Sequence, residues 1–183
     1  TYKLVNRQAG KFRDLQVEVL DSRSSAAGLG LLVCEAVRLK DEGLSLSQIK
    51  TRIEVLIPQV FQLFTVNSLE HLYKSGRVSP EFSGYMSLLL SFKPILSLRD
   101  GKGHIELISR ADTIEGAYDK LIEILHRYLD GKPEPRYIGV VYNGVAAQAE
   151  ILAQTLGRSF PHINVLISEG HPVLGVHLGP QAI

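Results

Sequence analysis

The chain has 183 residues, 45% of them hydrophobic and 21% charged, and a formal net charge of +1 from 20 basic and 19 acidic side chains. This is globular composition with enough apolar material for one sizeable core, and so balanced a charge gives no reason to expect nucleic acid or an anionic membrane as partner. No apolar run reaches the roughly 20 residues that span a bilayer, and no signal-peptide pattern opens the chain.

The single Cys34 cannot close an intrachain disulfide, and its apolar surroundings mark it as a small core residue. A free thiol fits a reducing cytosol, so the expected location is cytoplasmic. The chain opens at Thr1 without Met, and residues 1–15 look like the tail of a helix that begins upstream. The sequence is therefore read as a fragment or a processed product.

Residues 16–20 (QVEVL) predict a short strand. A helix follows over 24–42, with Ser24 and Ser25 as N-caps and Gly43 as its stop. Ser45 and Ser47 open a second helix over 46–57, closed by Pro58. Residues 60–66 (VFQLFTV) are aromatic and β-branched, which predicts a buried strand. Asn67 or Ser68 caps a short helix to Tyr73. Ser79-Pro80-Glu81 starts another, to about Leu90.

Residues 93–98 and 104–109 flank an Asp100-Gly101 loop and predict a β-hairpin. Thr113 caps a long amphipathic helix to about Leu129, with Ile114, Ala117, Leu121, Ile124 and Leu125 at helical spacing. Residues 130–136 are a surface link, 137–142 a strand and 145–160 a helix; 164–168 and 173–177 are the last strands. The alternation predicts a mixed-sheet α/β sandwich over 46–183. Residues 1–45 are the remnant of an N-terminal parallel-sheet α/β domain.

Gly28-Leu29-Gly30 lacks the third glycine of a dinucleotide loop and lies inside a helix rather than in the turn before it. Arg77, between two predicted helices, is either an anion-binding group or an exposed loop cation. His177, at the end of the last predicted strand in a Gly-rich turn, is either a carboxylate-binding imidazole or a satisfied structural one. His71, His104, His126 and His162 fall on predicted faces or in loops and read as solvated. No metal-ligand spacing, nucleophile elbow or paired carboxylates appear, so an enzyme reading has little support. The segment 81–98 is apolar around most of its helix (Phe82, Met86, Leu89, Phe92) and is either wholly buried or covers an apolar ligand.

Four of these segments, in order along nearly the whole chain, are similar to one family. Asp21-Ser22-Arg23-Ser24 with Gly28-Leu29-Gly30-Leu31-Leu32 resembles its DSxS…GLGLL strand and helix. Thr65-Val66-Asn67-Ser68-Leu69-Glu70-His71-Leu72 with Gly76-Arg77-Val78-Ser79 resembles its VDTLEYL…GGRIS run. Lys93-Pro94-Ile95-Leu96 with Asp100-Gly101 resembles KPIL…DG. Residues 172–180 (PVLGVHLGP) resemble the GPVIGAHTGPG ending. The family is DegV.

The resemblance implies a two-domain α/β protein that buries one long-chain fatty acid and passes it to a fatty-acid kinase for acyl-phosphate formation in phospholipid synthesis. It would be a carrier rather than an enzyme, with no cofactor besides its ligand. The family histidine maps onto His177. The GGR arginine maps onto Arg77, as support for the carboxylate site, and a kinase-docking arginine maps onto Arg110. Met86, Leu89 and Phe92 are the expected acyl-chain lining. The Ser and Thr of the family's carboxylate site precede Thr1. Ser75, Leu178 and Gln181 depart from the family pattern, which puts the loop geometry around His177 in question. Two other readings stand beside this one: a phosphotransferase using Arg77 as an anion site, and a scaffold that binds nothing alone.

Overall fold

The structure is a computed structural model, and it describes residues 1–12, 14–76, 92–98 and 105–183. The chain forms two compact units, Thr1–Val60 and Phe61–Ile183. The sequence suggested a division at 45–46.

In the first unit, helix α1 (Tyr2–Ala9) buries none of its residues. Helix α2 (Ala26–Asp41) and helix α3 (Leu46–Leu56) pack on each other through Leu32, Leu39 and Ile53. That contact places 46–56 with the N-terminal residues. Ser45 makes a full capping box with Gln48: its hydroxyl accepts from Gln48 N at 3.4 Å, and its own N–H donates to Gln48 Oε1 at 2.9 Å. Pro58 closes the helix through a 3₁₀ turn, Ile57–Gln59.

Two expectations fail here. Residues 16–20 form no ladder among the described residues, since an extended segment becomes a strand only where another strand takes its backbone hydrogen bonds. Cys34 is exposed, not a core residue; the helical turn that buries Leu32 and Leu39 points position 34 away from α3. Gly28 is buried inside α2, whereas Gly30 faces open space, so the pair forms no phosphate cradle.

The second unit is built on two sheets. Strands β1 (Leu63–Thr65), β2 (Lys93–Ser97) and β3 (Glu106–Ala111) form an antiparallel sheet in that order, with Thr65 opposite Ile95 and Leu96 opposite Leu107. This is the predicted hairpin; its loop lies outside the described residues. Strands β4 (Tyr137–Tyr142) and β5 (Asn164–Glu169) pair in parallel. Between these elements lie helices α4 (Glu70–Lys74), α5 (Ile114–Leu129) and α6 (Ala146–Ser159), and α7 (Pro172–Leu178) follows β5. Mixed sheets with helices make the fold α/β, as expected.

Adjacent residues of β2 show how the core is divided. Ile95 and Leu96 are both fully buried but belong to different apolar clusters, because successive strand side chains point to opposite faces. Ile95 packs with Ala117 and Ile124 of α5 and Leu152 of α6. Leu96 packs with Leu72 of α4, Val66, Ile105 and Ala182, flanked by Leu178 of α7. The sheet is thus covered on both faces, which explains an apolar run without alternation in β2.

Residues 173–177, predicted as a strand, are helical. The pattern VLGVH suggested extended chain, but Pro172 at the first helical position supplies the right φ and loses no needed donor. His171 Nδ1 accepts from Val173 N at 3.3 Å as the cap. Gly179, at φ +77°, ends the helix.

Candidate functional site

The site is built where α4 and α7 pack together over the Leu96 cluster. Helix α7 carries His177 near its C-terminal end, and α4 carries His71 in its first turn. His177 Nδ1 and His71 Nδ1 are both buried, and neither has a hydrogen-bond partner among the described residues. An unsatisfied buried polar atom costs about 1–3 kcal/mol, so each asks for an explanation. An imidazole offers one donor and one acceptor nitrogen, so an unpartnered buried ring nitrogen leaves His177 with hydrogen-bonding capacity that a polar ligand could use.

The turn after His177 is held from two sides. Asn143, just past β4, donates its N–H to Ala182 O at 2.9 Å and accepts from Gln181 N at 2.8 Å. Its side-chain amide reaches Gly179 O at 3.5 Å. On the other side the His71 ring lies directly against Gly179. His71 is therefore half-buried and in contact, not solvated as the sequence suggested; no local signal marks it, because its neighbour is far away in the chain. His126 is exposed, as expected, and stacks on Phe160 at 4.2 Å between centroids. His171 is used as a helix cap.

Of the expected acyl-chain lining, Met86 and Leu89 lie outside the described residues, as does Arg77. Phe92 is half-buried, with the Arg110 guanidinium 5.7 Å from its ring centroid. Arg110 is exposed on β3.

A depression of about 580 Å³ lies elsewhere in the second unit, at the C-terminal end of α5, lined by His126, Lys132, Glu134 and Phe160. It is open and carries both signs of charge, so it has no built preference for a carboxylate. Among the described residues no group of three His, Cys, Asp or Glu could hold a metal ion. No helix among them is long and apolar enough to cross a membrane.

Compared with known proteins, all of residues 1–183 match the family model described as uncharacterised protein, DegV family. The chain belongs to the DegV family. A DegV domain-containing protein of Staphylococcus aureus is 31% identical over 176 residues, 96% of this chain and 62% of the relative. Two solved structures are each 26% identical. The fatty acid binding DegV family protein of Streptococcus agalactiae has a TM-score of 0.83 over 99% of this chain and 62% of its own. The Thermus thermophilus DegV family protein, whose structure is described as showing fatty acid binding, has a TM-score of 0.84 over 100% and 64%. This DegV chain spans between 57% and 62% of the length of the curated relatives it matches. The order of motifs from Asp21 to Pro180 was thus a sound guide to the family.

Proposed function

We propose that this chain is part of a carrier that binds one long-chain fatty acid, its carboxylate held by polar residues that include His177 and its acyl chain buried. The observation that carries the reading is the likeness, over 99–100% of this chain, to two DegV structures described as binding fatty acid. The unpartnered Nδ1 of His177 agrees with it, since the ring keeps hydrogen-bonding capacity that no described residue uses.

The energetics agree as well. Each buried CH₂ contributes about 0.8 kcal/mol, so a long acyl chain supplies on the order of 10 kcal/mol gross, and few polar contacts are then needed. In this reading Arg77 supports the carboxylate site, and Met86, Leu89 and Phe92 line the acyl chain. The first unit is completed by an N-terminal α/β domain that brings the remaining carboxylate ligands.

The protein acts by presenting the bound fatty acid to a fatty-acid kinase in the cytoplasm, with exposed Arg110 on the docking face. It performs no chemistry itself and needs no cofactor beyond its ligand. Replacing Arg110 with Glu should lower acyl-phosphate formation by the kinase and leave the bound lipid unchanged.

The deciding experiment is mass spectrometry of an organic extract from the protein, expressed in a bacterial host as its gene encodes it in full. A stoichiometric long-chain fatty acid, depleted in His177→Ala, is expected. Folded wild-type protein with an empty extract would overturn the reading and return the phosphotransferase and the scaffold.

A further inference from the structure

We propose that His71 is a positioning residue for the carboxylate site, acting through Gly179 on His177. The inference rests on the fatty-acid reading above for its consequence, but its geometry is independent of that reading. Gly179 sits two residues after His177, at φ +77° and ψ −179°, and its N–H closes α7 by donating to Gly175 O at 2.8 Å. A Cβ built on Gly179 would stand 2.6 Å from His71 Nδ1, 3.0 Å from Cγ and 3.1 Å from Cε1. One edge of the imidazole therefore occupies the space that any other residue at 179 would fill.

Gly179 is thus required twice, by its backbone angle and by the ring beside it. The contact links α4 to the turn that ends α7, and the neighbours of both histidines, Leu72 and Leu178, share one apolar cluster. On the far side of the turn, the Asn143 side chain reaches Gly179 O. With the turn held between His71 and Asn143, the last residues of α7 keep a single position. His177 is aimed without a hydrogen bond of its own from Nδ1. Such a pre-set donor binds a carboxylate more tightly than one that must be ordered on binding.

The test uses the full-length protein with His71→Ala and His71→Phe, measuring fatty-acid affinity, unfolding midpoint and the NMR signal of the His177 imidazole. His71→Ala is expected to lower affinity about tenfold and to move the His177 signal. His71→Phe keeps a ring against Gly179 and should stay within about threefold of wild type, with the His177 signal in place. Wild-type affinity in His71→Ala, an unmoved His177 signal, or a Phe variant as weak as the Ala variant would each overturn the proposal.

If His71→Ala does not fold, His71→Leu, which keeps apolar bulk but loses the flat ring edge against Gly179, tests the same contact. Weaker binding with a displaced His177 signal is expected, and no change in either overturns the proposal. A wild-type protein that binds no fatty acid removes the functional reading, while the His177 signals still decide whether His71 sets that turn.

Discussion

Thr65 and Ile183 exchange two backbone hydrogen bonds: Thr65 N–H donates to Ile183 O at 2.7 Å, and Ile183 N–H donates to Thr65 O at 3.1 Å. Thr65 ends β1, and the preceding residues of the same terminal segment pair with Asn143 at the end of β4. Residues 181–183 therefore tie the antiparallel sheet to the parallel pair, and the turn that follows His177 is fixed to both.

Ile183 is buried and packs in the cluster that Ile95 and Leu152 share. Ile183→Ala should lower stability by about 2–4 kcal/mol through lost burial and a residual cavity. Chemical denaturation would show it as a lower midpoint with an unchanged slope.

Gly170 joins β5 to α7 in a crowded place. A Cβ there would fall inside the contact shell of Asn143 Oδ1 and lie 3.2 Å from both Leu174 Cδ2 and Tyr142 O. The backbone cannot yield easily, so Gly170→Ala should cost about 1–3 kcal/mol. Because Asn143 also reaches Gly179, bound fatty acid in the extract should fall at the same time.

Tyr118 is half-buried on α5 against the main core. Burial, with Glu115 nearby, pushes its phenol above the ordinary tyrosine range. The folded state then holds the proton to higher pH than the unfolded state does. Above about pH 10 the unfolded chain binds fewer protons, and stability declines as pH rises. Tyr118→Phe should flatten that alkaline decline in a series of unfolding curves and leave the neutral range little changed.

The capping box at Ser45 is local and far from the histidines in sequence. Ser45→Ala should cost about 1 kcal/mol by thermal or chemical unfolding. The fatty acid content of the extract should not change, which separates a loss of stability from a loss of ligand contacts.

Much of the fold was legible because its causes are short-range. Thr113 capping α5, Ser45 capping α3, Pro58 ending it and the apolar period of residues 114–129 act within a few residues of themselves, and the structure places those elements within a residue or two of the expected bounds. Strand β4 coincides with the predicted 137–142. His177 was visible as a candidate because a ring in a Gly-rich turn is unusual in composition. His71 was not, since nothing near it in sequence differs from a surface helix.

The sequence by itself determined the family, the α/β class and the sites where helices begin and end, since caps, periodicity and motif order are written in neighbouring residues. Tertiary structure decided the rest. Residues 173–177 became a helix because His171, Pro172 and Gly179 close both of its ends, although the apolar pattern also suits a strand. Residues 16–20 formed no ladder because a strand is a property of two segments. Cys34 is exposed because burial depends on which face of α2 meets α3. His71 met Gly179 because α4 and α7 pack over the same face of the sheet, a meeting of distant residues that no local pattern encodes.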